Sequence, residues 1–225
     1  MTLAELIRRV RVAADDLRQP FLWADADIAD RLNDAETEAA IRKRLLHEAT
    51  DPEMCQIVVS AGIATYRLHA AMYELTYQAF RTNGETLRQP LALVSKEWLD
   101  GYMPDWRERT GTPEFVMQDG QSLRLAPMPD VPGHVLLEGY RVPLSPMRVD
   151  HAGEDAPEIP SPHHLHLIPW ALYRGYSVPD TETFDPRRAQ FAEDEFTRYF
   201  GPRPDADLRR ETREDIPHRV EAFWA

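Results

Sequence analysis

The feature that most constrains the fold is the punctuation of residues 157–201, PEIPSPHHLHLIPWALYRGYSVPDTETFDPRRAQFAEDEFTRYFG, where a cap residue and a proline open each of two helical patterns. Ser161-Pro162 begins the first: serine suits the N-cap, and proline suits the first helical position, where its missing N–H has no intrahelical partner to lose. Leu165, Ile168, Leu172 and Tyr176 follow at helical spacing, and Pro169 is expected to remove one internal hydrogen bond and bend the helix. Asp185-Pro186 opens the second helix, which Gly201 stops with Pro202 behind it. Its apolar stripe is Ala189, Ala192, Phe196, Tyr199 and Phe200, with Glu193, Asp194 and Arg198 outside. Seven of the chain's eight tyrosines and eight phenylalanines fall in this stretch: Tyr173, Tyr176, Phe184, Phe191, Phe196, Tyr199 and Phe200. The reading is an antiparallel helix pair whose aromatic residues serve as core.

A second helix pair is expected at the N-terminus. Thr2-Leu3-Ala4-Glu5 reads as a capping box, and Leu3, Leu6, Ile7, Val10, Ala14 and Leu17 lie on one helical face. Gln19-Pro20 ends that helix, and Phe21-Leu22-Trp23 forms an apolar corner that staples it to the next. The second helix starts at Ala24 or Asp25 and runs through Ile28, Leu32, Ala35, Ala39 and Leu46.

After Asp51-Pro52 the period changes from helical to alternating. Cys55, Ile57 and Val59 alternate, Ser60-Ala61-Gly62 supplies a turn, and Ala64, Tyr66 and Leu68 alternate again, which predicts a hairpin. A strand over residues 72–80 reaches Asn83-Gly84, the pair favoured in type I′ turns, before Leu87 and the apolar run 91–94. Ser95 caps a short helix broken near residues 101–104. Three strands follow: one around Phe115 and Met117, one around Leu123 and Leu125 across the turn Asp119-Gly120, and one over residues 134–142. The sheet is expected to be antiparallel. Residues 143–160, rich in Pro, Asp and Glu, read as a long loop.

The fold class is therefore α+β. A helical domain is formed by residues 1–50 and 157–201, a β-rich insertion by 51–156, and an extended C-terminal tail by 202–225. The tail is charged and proline-punctuated until it closes on Val220, Phe223 and Trp224, and an aromatic end of this kind either anchors a partner or, at Trp224, folds back on its own domain.

Several kinds of chemistry are disfavoured. A hydrophobic fraction of 43% excludes wholesale disorder, and a net charge of −12 argues against a general grip on nucleic acid, which needs concentrated Lys and Arg. Only 10 glycines occur, with no phosphate-cradling loop, so no nucleotide cofactor is expected. The single Cys55 allows no internal disulfide and sits in a strand pattern with no base nearby. His163, His164 and His166 raise a metal site, but no Cys or spaced carboxylate completes a ligand set. Acidic pairs such as Asp15-Asp16 and the run Glu193-Asp194-Glu195 lie on helix ends or solvated faces. No catalytic, cofactor or metal site is expected. The N-terminal sequence lacks a signal-peptide pattern and no apolar run spans a membrane, which places synthesis in the cytoplasm.

The phrases FLWADADIADRLNDAETEAAIRKRLL, SAGIATYRL, VSKEWLDGYMPDWRERTGTPEFVMQDGQSLRLAPMPD, YRVPLSPM and the 157–201 segment together resemble the head-to-tail adaptor (connector, head-completion) proteins of tailed bacteriophages. The most distinctive parts are Leu22-Trp23-x-Asp25 with Leu32-Asn33-x-Ala35, the Trp98, Trp106 and Gly111-Thr112-Pro113 block, and Ala171-Leu172-Tyr173 followed by Phe184. The chain departs from the family at Ala24, where a polar cap is usual and Asp25 is left to cap, and at Pro169. The resemblance implies a non-enzymatic virion protein at the head-tail junction, made in the host cytoplasm. It would form a twelvefold ring of self-contacts under the portal protein, join it to tail or nozzle proteins, and extend a channel through which DNA passes without specific binding. In such proteins the helices pack around the ring, the β-rich insertion faces the tail side or the outside, and the tail docks on the portal. Carried onto this chain, the portal-binding residues are Ile216, Val220, Phe223 and Trp224. Two other classes compete: a virion-associated hydrolase using His163 or His164 with a carboxylate, and a packaging or regulatory nucleic-acid-binding module.

Overall fold

The computed structural model describes residues 1–179 and 181–204. In chain order its elements are α1 (Leu3–Ala14), α2 (Asp25–Lys43), β1 (His47–Glu48), α3 (Pro52–Cys55), β2 (Gln56–Val59), β3 (Thr65–Arg67), β4 (Met72–Thr82), β5 (Gln89–Pro90), β6 (Ala92–Leu93) and α4 (Lys96–Tyr102). There follow β7 (Thr110–Gly111), β8 (Phe115–Asp119), β9 (Ser122–Ala126), β10 (Met128–Pro129), β11 (Gly133–Arg141), α5 (Ile168–Tyr176) and α6 (Pro186–Phe200). Helices and antiparallel sheets are both present, as an α+β chain requires. The elements gather into two compact units, Met1–Leu46 with Arg141–Arg203, and residues 47–140.

In the first unit α1 begins with the expected capping box. Thr2 Oγ1 accepts the Glu5 N–H at 3.4 Å, and the Glu5 carboxylate accepts the Thr2 N–H at 3.1 Å, so two amides with no helical partner are satisfied. The helix ends earlier than its hydrophobic pattern suggests, because Asp15 turns into the left-handed region at φ 58°; Leu17 therefore lies in the loop, 60% exposed, rather than on the buried face. Two residues explain the corner that follows. Trp23 is buried, while Arg11, itself buried, donates to Asp16 (2.6 Å), to the Trp23 carbonyl (2.9 Å) and to Asp25 (2.5 Å). Asp25 is thus the first residue of α2 and a partner of Arg11, not the cap; the cap position is Ala24, with no side-chain hydrogen bond. At its other end α2 stops at Lys43, short of Leu46, where Arg44 takes φ 53°.

Residues 161–167 form a 3-10 helix that Ser161 does not cap, and α5 starts only at Ile168. Pro169 consequently sits in the first turn, where its missing N–H costs no internal bond, so it starts the α-helix instead of bending it. The register of burial shifts with it: Leu167, Ala171 and Tyr176 are buried, whereas Leu165 is exposed. Asp185 caps α6 as expected, accepting the N–H groups of Arg187 (3.0 Å) and Arg188 (3.1 Å). Of the expected aromatic core, Tyr176, Phe196 and Phe200 are buried and Tyr173 and Tyr199 pack against them, but Phe184 and Phe191 face solvent. The loop 143–160 carries only one short 3-10 turn, Val149–His151, and is tied down along its length. The Asn33 side chain donates to the Met147 carbonyl (3.0 Å) and accepts the Met147 N–H (2.9 Å), and the Ile159 N–H reaches Glu36 Oε1 at 3.1 Å.

The second unit holds two principal sheets, of order β1-β11-β4-β5 with β2 also on β11, and β3-β9-β8-β6, besides the short pair β10-β7. The expected hairpin across Ser60-Ala61-Gly62 does not form. β2 pairs with β11 and β3 with β9, so the turn passes the chain from one sheet to the other. Nor are the pairings uniformly antiparallel: β6 with β8 and β10 with β7 are parallel. Cys55 ends the single helical turn α3 rather than lying in a strand. At Asn83-Gly84 only the glycine has positive φ (83°), which excludes the type I′ turn, since that needs both residues left-handed. The β8–β9 hairpin turns at Gly120 (φ 57°) as expected, with Asp119 opposite Ser122. Gly139 permits the close approach of β11 to β4: a Cβ there would stand 2.3 Å from the Glu74 carbonyl oxygen. Phe80, Val116, Leu123, Leu125, Val135 and Leu137 form the core of this unit.

Candidate functional site

The four anchor residues expected from the sequence, Ile216, Val220, Phe223 and Trp224, lie outside the described residues. Their root does not. Gly201 ends α6, and Arg42 Nη1 donates to the Gly201 carbonyl (3.1 Å) and to Thr197 Oγ1 (3.0 Å), while Lys43 Nζ donates to the Tyr199 carbonyl (3.1 Å). Carbonyls at a helix C-terminus lack intrahelical partners, and two cations of α2 supply them. Residues beyond 201 leave from a clamped point.

The histidines are used in packing. His164 is buried, with Nε2 donating to the Ile159 carbonyl (2.8 Å) and Nδ1 facing the Met1 amino group (3.0 Å). His163 Nδ1 lies 3.0 Å from the Tyr199 hydroxyl, and His166 stacks on the Tyr199 ring at 3.4 Å between centroids. Burial lowers the pKa of both His163 and His166; Lys43 adds to the effect at both, while Glu195 opposes it at His166. Among the described residues no group of three or more His, Cys, Asp or Glu could hold a metal ion. Burial pushes the Cys55 thiol up, with Glu48, Asp51 and Glu138 pushing the same way, which is opposite to the shift a nucleophilic thiolate needs. Glu36 is pushed up to about 7 by burial, against the lowering effect of the Ile159 and Glu158 amides. It holds a loop, and at 1% exposure it has no route to a substrate.

Contact surface is more prominent than assembled chemistry. On α4, capped by Ser95 through the Trp98 N–H (3.1 Å), Trp98 and Tyr102 stack at 4.6 Å and 19° while remaining 45% and 63% exposed, with Phe115 beside them. An exposed aromatic stack of this kind is a typical interface anchor. Behind the start of the same helix lies a cleft of about 520 Å³. Trp106 lines it, buried, with Nε1 donating to Asp100 (2.9 Å) and the Arg107 and Arg124 guanidinia 4.3 and 4.6 Å from the ring centroid. Hydrogen bonds from Arg107 (2.6 Å) and then Trp106 hold the Asp100 carboxyl below its ordinary value. Sequence reasoning placed α4 and marked Trp98 and Trp106 as distinctive, but missed Arg124. That residue joins them only through the β6-β8-β9 pairing, and nothing in its local sequence signals this.

The described residues present an exposed aromatic stack on α4 and a cleft lined by Trp106, Arg107 and Arg124. The model of the SU10 adaptor protein family matches residues 1–219, and the chain belongs to that family. The resemblance to phage head-to-tail adaptors carried by its motifs stands with this match, and so does a structural adaptor role. No curated protein matches the chain. No helix among the described residues is long and apolar enough to cross a membrane.

Proposed function

We propose that this adaptor forms a twelvefold ring beneath the portal at the DNA-exit vertex of a virion, joins the portal to tail or nozzle proteins, and extends the DNA channel without enzymatic activity. The observation that carries this reading is the family match, which takes in both folded units and most of the tail. Residues 202–225 are the portal-binding segment, with Ile216, Val220, Phe223 and Trp224 as anchors: apolar residues at the end of a polar segment gain most by burial against a partner. The clamp on Gly201 by Arg42 supports this, since a fixed root reduces the freedom lost when a tail docks. The net charge of −12 suits a channel that DNA slides past instead of gripping.

The test is deletion of residues 202–225. The expected product is a folded monomer that no longer binds purified portal, whereas the full chain forms rings on portal seen by negative-stain imaging. Unchanged portal affinity after the deletion removes the assignment of the tail. The full chain alone is expected to sediment as a monomer, its ring templated by the portal; a ring in analytical ultracentrifugation without portal counts against that templating.

A further inference from the structure

The loop 143–160 is built as a body of its own. Arg141 and Glu158 hold its ends together (2.6 Å), and Glu158 also accepts the N–H groups of Leu144 (2.7 Å) and Ser145 (3.3 Å). Its middle is closed by the Arg148 N–H on the Asp155 carboxylate (2.7 Å) and by the Arg148 guanidinium on Asp150 (2.6 Å). A loop with close ends and internal bonds can lift from its support without unravelling. Its attachments to the helices are few. Met147 and Ile159 are buried in the helical core; Asn33 bonds Met147 in both directions, and Glu36, one turn further along α2, accepts the Ile159 N–H. The carbonyls of Asp155 and Ala152 accept the N–H groups of Leu3 (2.8 Å) and Ala4 (2.9 Å), first-turn amides of α1 that have no helical partner. The Ile159 carbonyl accepts from His164 Nε2.

One of these attachments holds a charge that the fold does not balance. Glu36 is buried and forms no ion pair among the described residues; the groups bonded to its carboxyl are the Ile159 and Glu158 amides of the loop. The charged groups that face it are Glu158, which repels a carboxylate there, and Arg141, which attracts one, and these two bind each other. His164 meets the far side of Ile159, with the Met1 amino group 3.0 Å behind it. A buried carboxylate without a cation is costly, and the cost is relieved either by keeping the proton or by admitting water. Because the loop supplies the amides on Glu36, water enters by displacing the loop. We propose that residues 143–160 are a strap that stays closed on α2 while Glu36 keeps its proton and lifts off as a unit, with the helices still folded, when Glu36 ionises. Opening bares Met147, Ile159 and the Asn33 and Glu36 face of α2, so one fold presents two contact surfaces. Burial pushes the Glu36 carboxyl up to about 7 from 4.5, so the closed form is favoured most below about pH 4.5 and loses that advantage as pH rises through about 7. The strap is independent of the ring reading.

Hydrogen exchange of the full chain, read amide by amide and corrected for the intrinsic pH dependence of exchange, tests this. The amides of Leu3, Ala4, Met147 and Ile159 are expected to open together, with an opening constant that rises on the order of 50-fold between pH 5 and pH 8. At pH 8 the amides of Leu32 and Phe196, in the helical core, should stay protected at least about tenfold better than those four. Glu36→Gln should flatten the pH dependence and hold the strap closed at both values. Asn33→Ala removes the neighbouring clasp without touching the carboxyl, so it should raise the opening about tenfold at both pH values and keep their ratio. If Glu36→Gln does not fold, the pH series of the unaltered chain and of Asn33→Ala decides the matter. Strap amides that exchange in one step with Leu32 and Phe196, that open independently of one another, or that keep their pH dependence in Glu36→Gln overturn the strap.

Discussion

The two folded units solve the problem of holding irregular chain in opposite ways. In the helical unit, the corner between α1 and α2 and the loop 143–160 are fastened by polar side chains, with Arg11 and Glu36 buried and Asn33 half-buried: Arg11 on Asp16 and Asp25, Asn33 on Met147, and Glu36 on Ile159. In the β-rich unit the chain is held chiefly by backbone pairing, and its tightest point is the approach of β11 to β4, which only glycine at 139 permits. The difference teaches where each unit is vulnerable. Side-chain clasps fail one at a time, and the one made by Glu36 responds to pH, whereas a backbone approach either fits or does not.

The largest effect is expected at that approach. Gly139→Ala should cost more than about 4 kcal/mol, because a Cβ 2.3 Å from a carbonyl oxygen forces the sheet apart, while Gly101→Ala in α4, with open space around it, should be neutral or stabilising by about 0.5–1 kcal/mol. Urea unfolding of both variants checks this, and equal costs would break the distinction between the units. Next comes the helical core, where Phe196, fully buried between Trp170 and Phe200, should cost about 3–5 kcal/mol as Phe196→Ala. The same denaturation series ranks it against Gly139→Ala.

A smaller effect than those two losses sharpens the account of the clasps. The folded-state pKa of Glu36, about 7, lies above its ordinary value of 4.5, so folding favours the protonated acid. Its contribution is fully present below about pH 4.5 and is lost as pH rises through about 7, beyond which the fold carries the whole cost of a buried carboxylate. Glu36→Gln keeps an acceptor for the Ile159 amide and removes the charge, so it should stabilise the protein at pH 8 by on the order of 2–3 kcal/mol and change little at pH 5. Thermal melts at the two pH values check it; an equal shift at both would mean that ionisation of Glu36 is not what matters.

Helix positions were legible wherever a cap and the N–H it accepts are local: Thr2 with Glu5, Ser95 with Trp98, and Asp185 with Arg187 all act within three residues. The misreadings share one cause. Period puts Leu17 on the buried face and Pro169 inside a helix, and the family pattern leaves Asp25 to cap, but Asp15 in the left-handed region, the 3-10 segment 161–167 and the distant demand of Arg11 decide otherwise at each. Strand pairing was less legible because alternation shows which residues can form a strand and not which strand is the partner; β2 and β3, adjacent in sequence, join different sheets. The candidate tail anchors were legible only as apolar residues in a polar segment, and the Arg124 cleft was not legible at all.

The sequence by itself determined the α+β class, the start of three helices, the hairpin at Gly120 and, through its motifs, the adaptor family. These rest on contacts between near neighbours or on order along the chain. Tertiary structure alone decided that β2 crosses to β11, that Phe191 stays exposed while Phe196 is buried, and that Arg124 meets Trp106 without an acceptor for its Nε. Each of these depends on which distant segment arrives at a given face, and burial and hydrogen bonding are settled by that arrival.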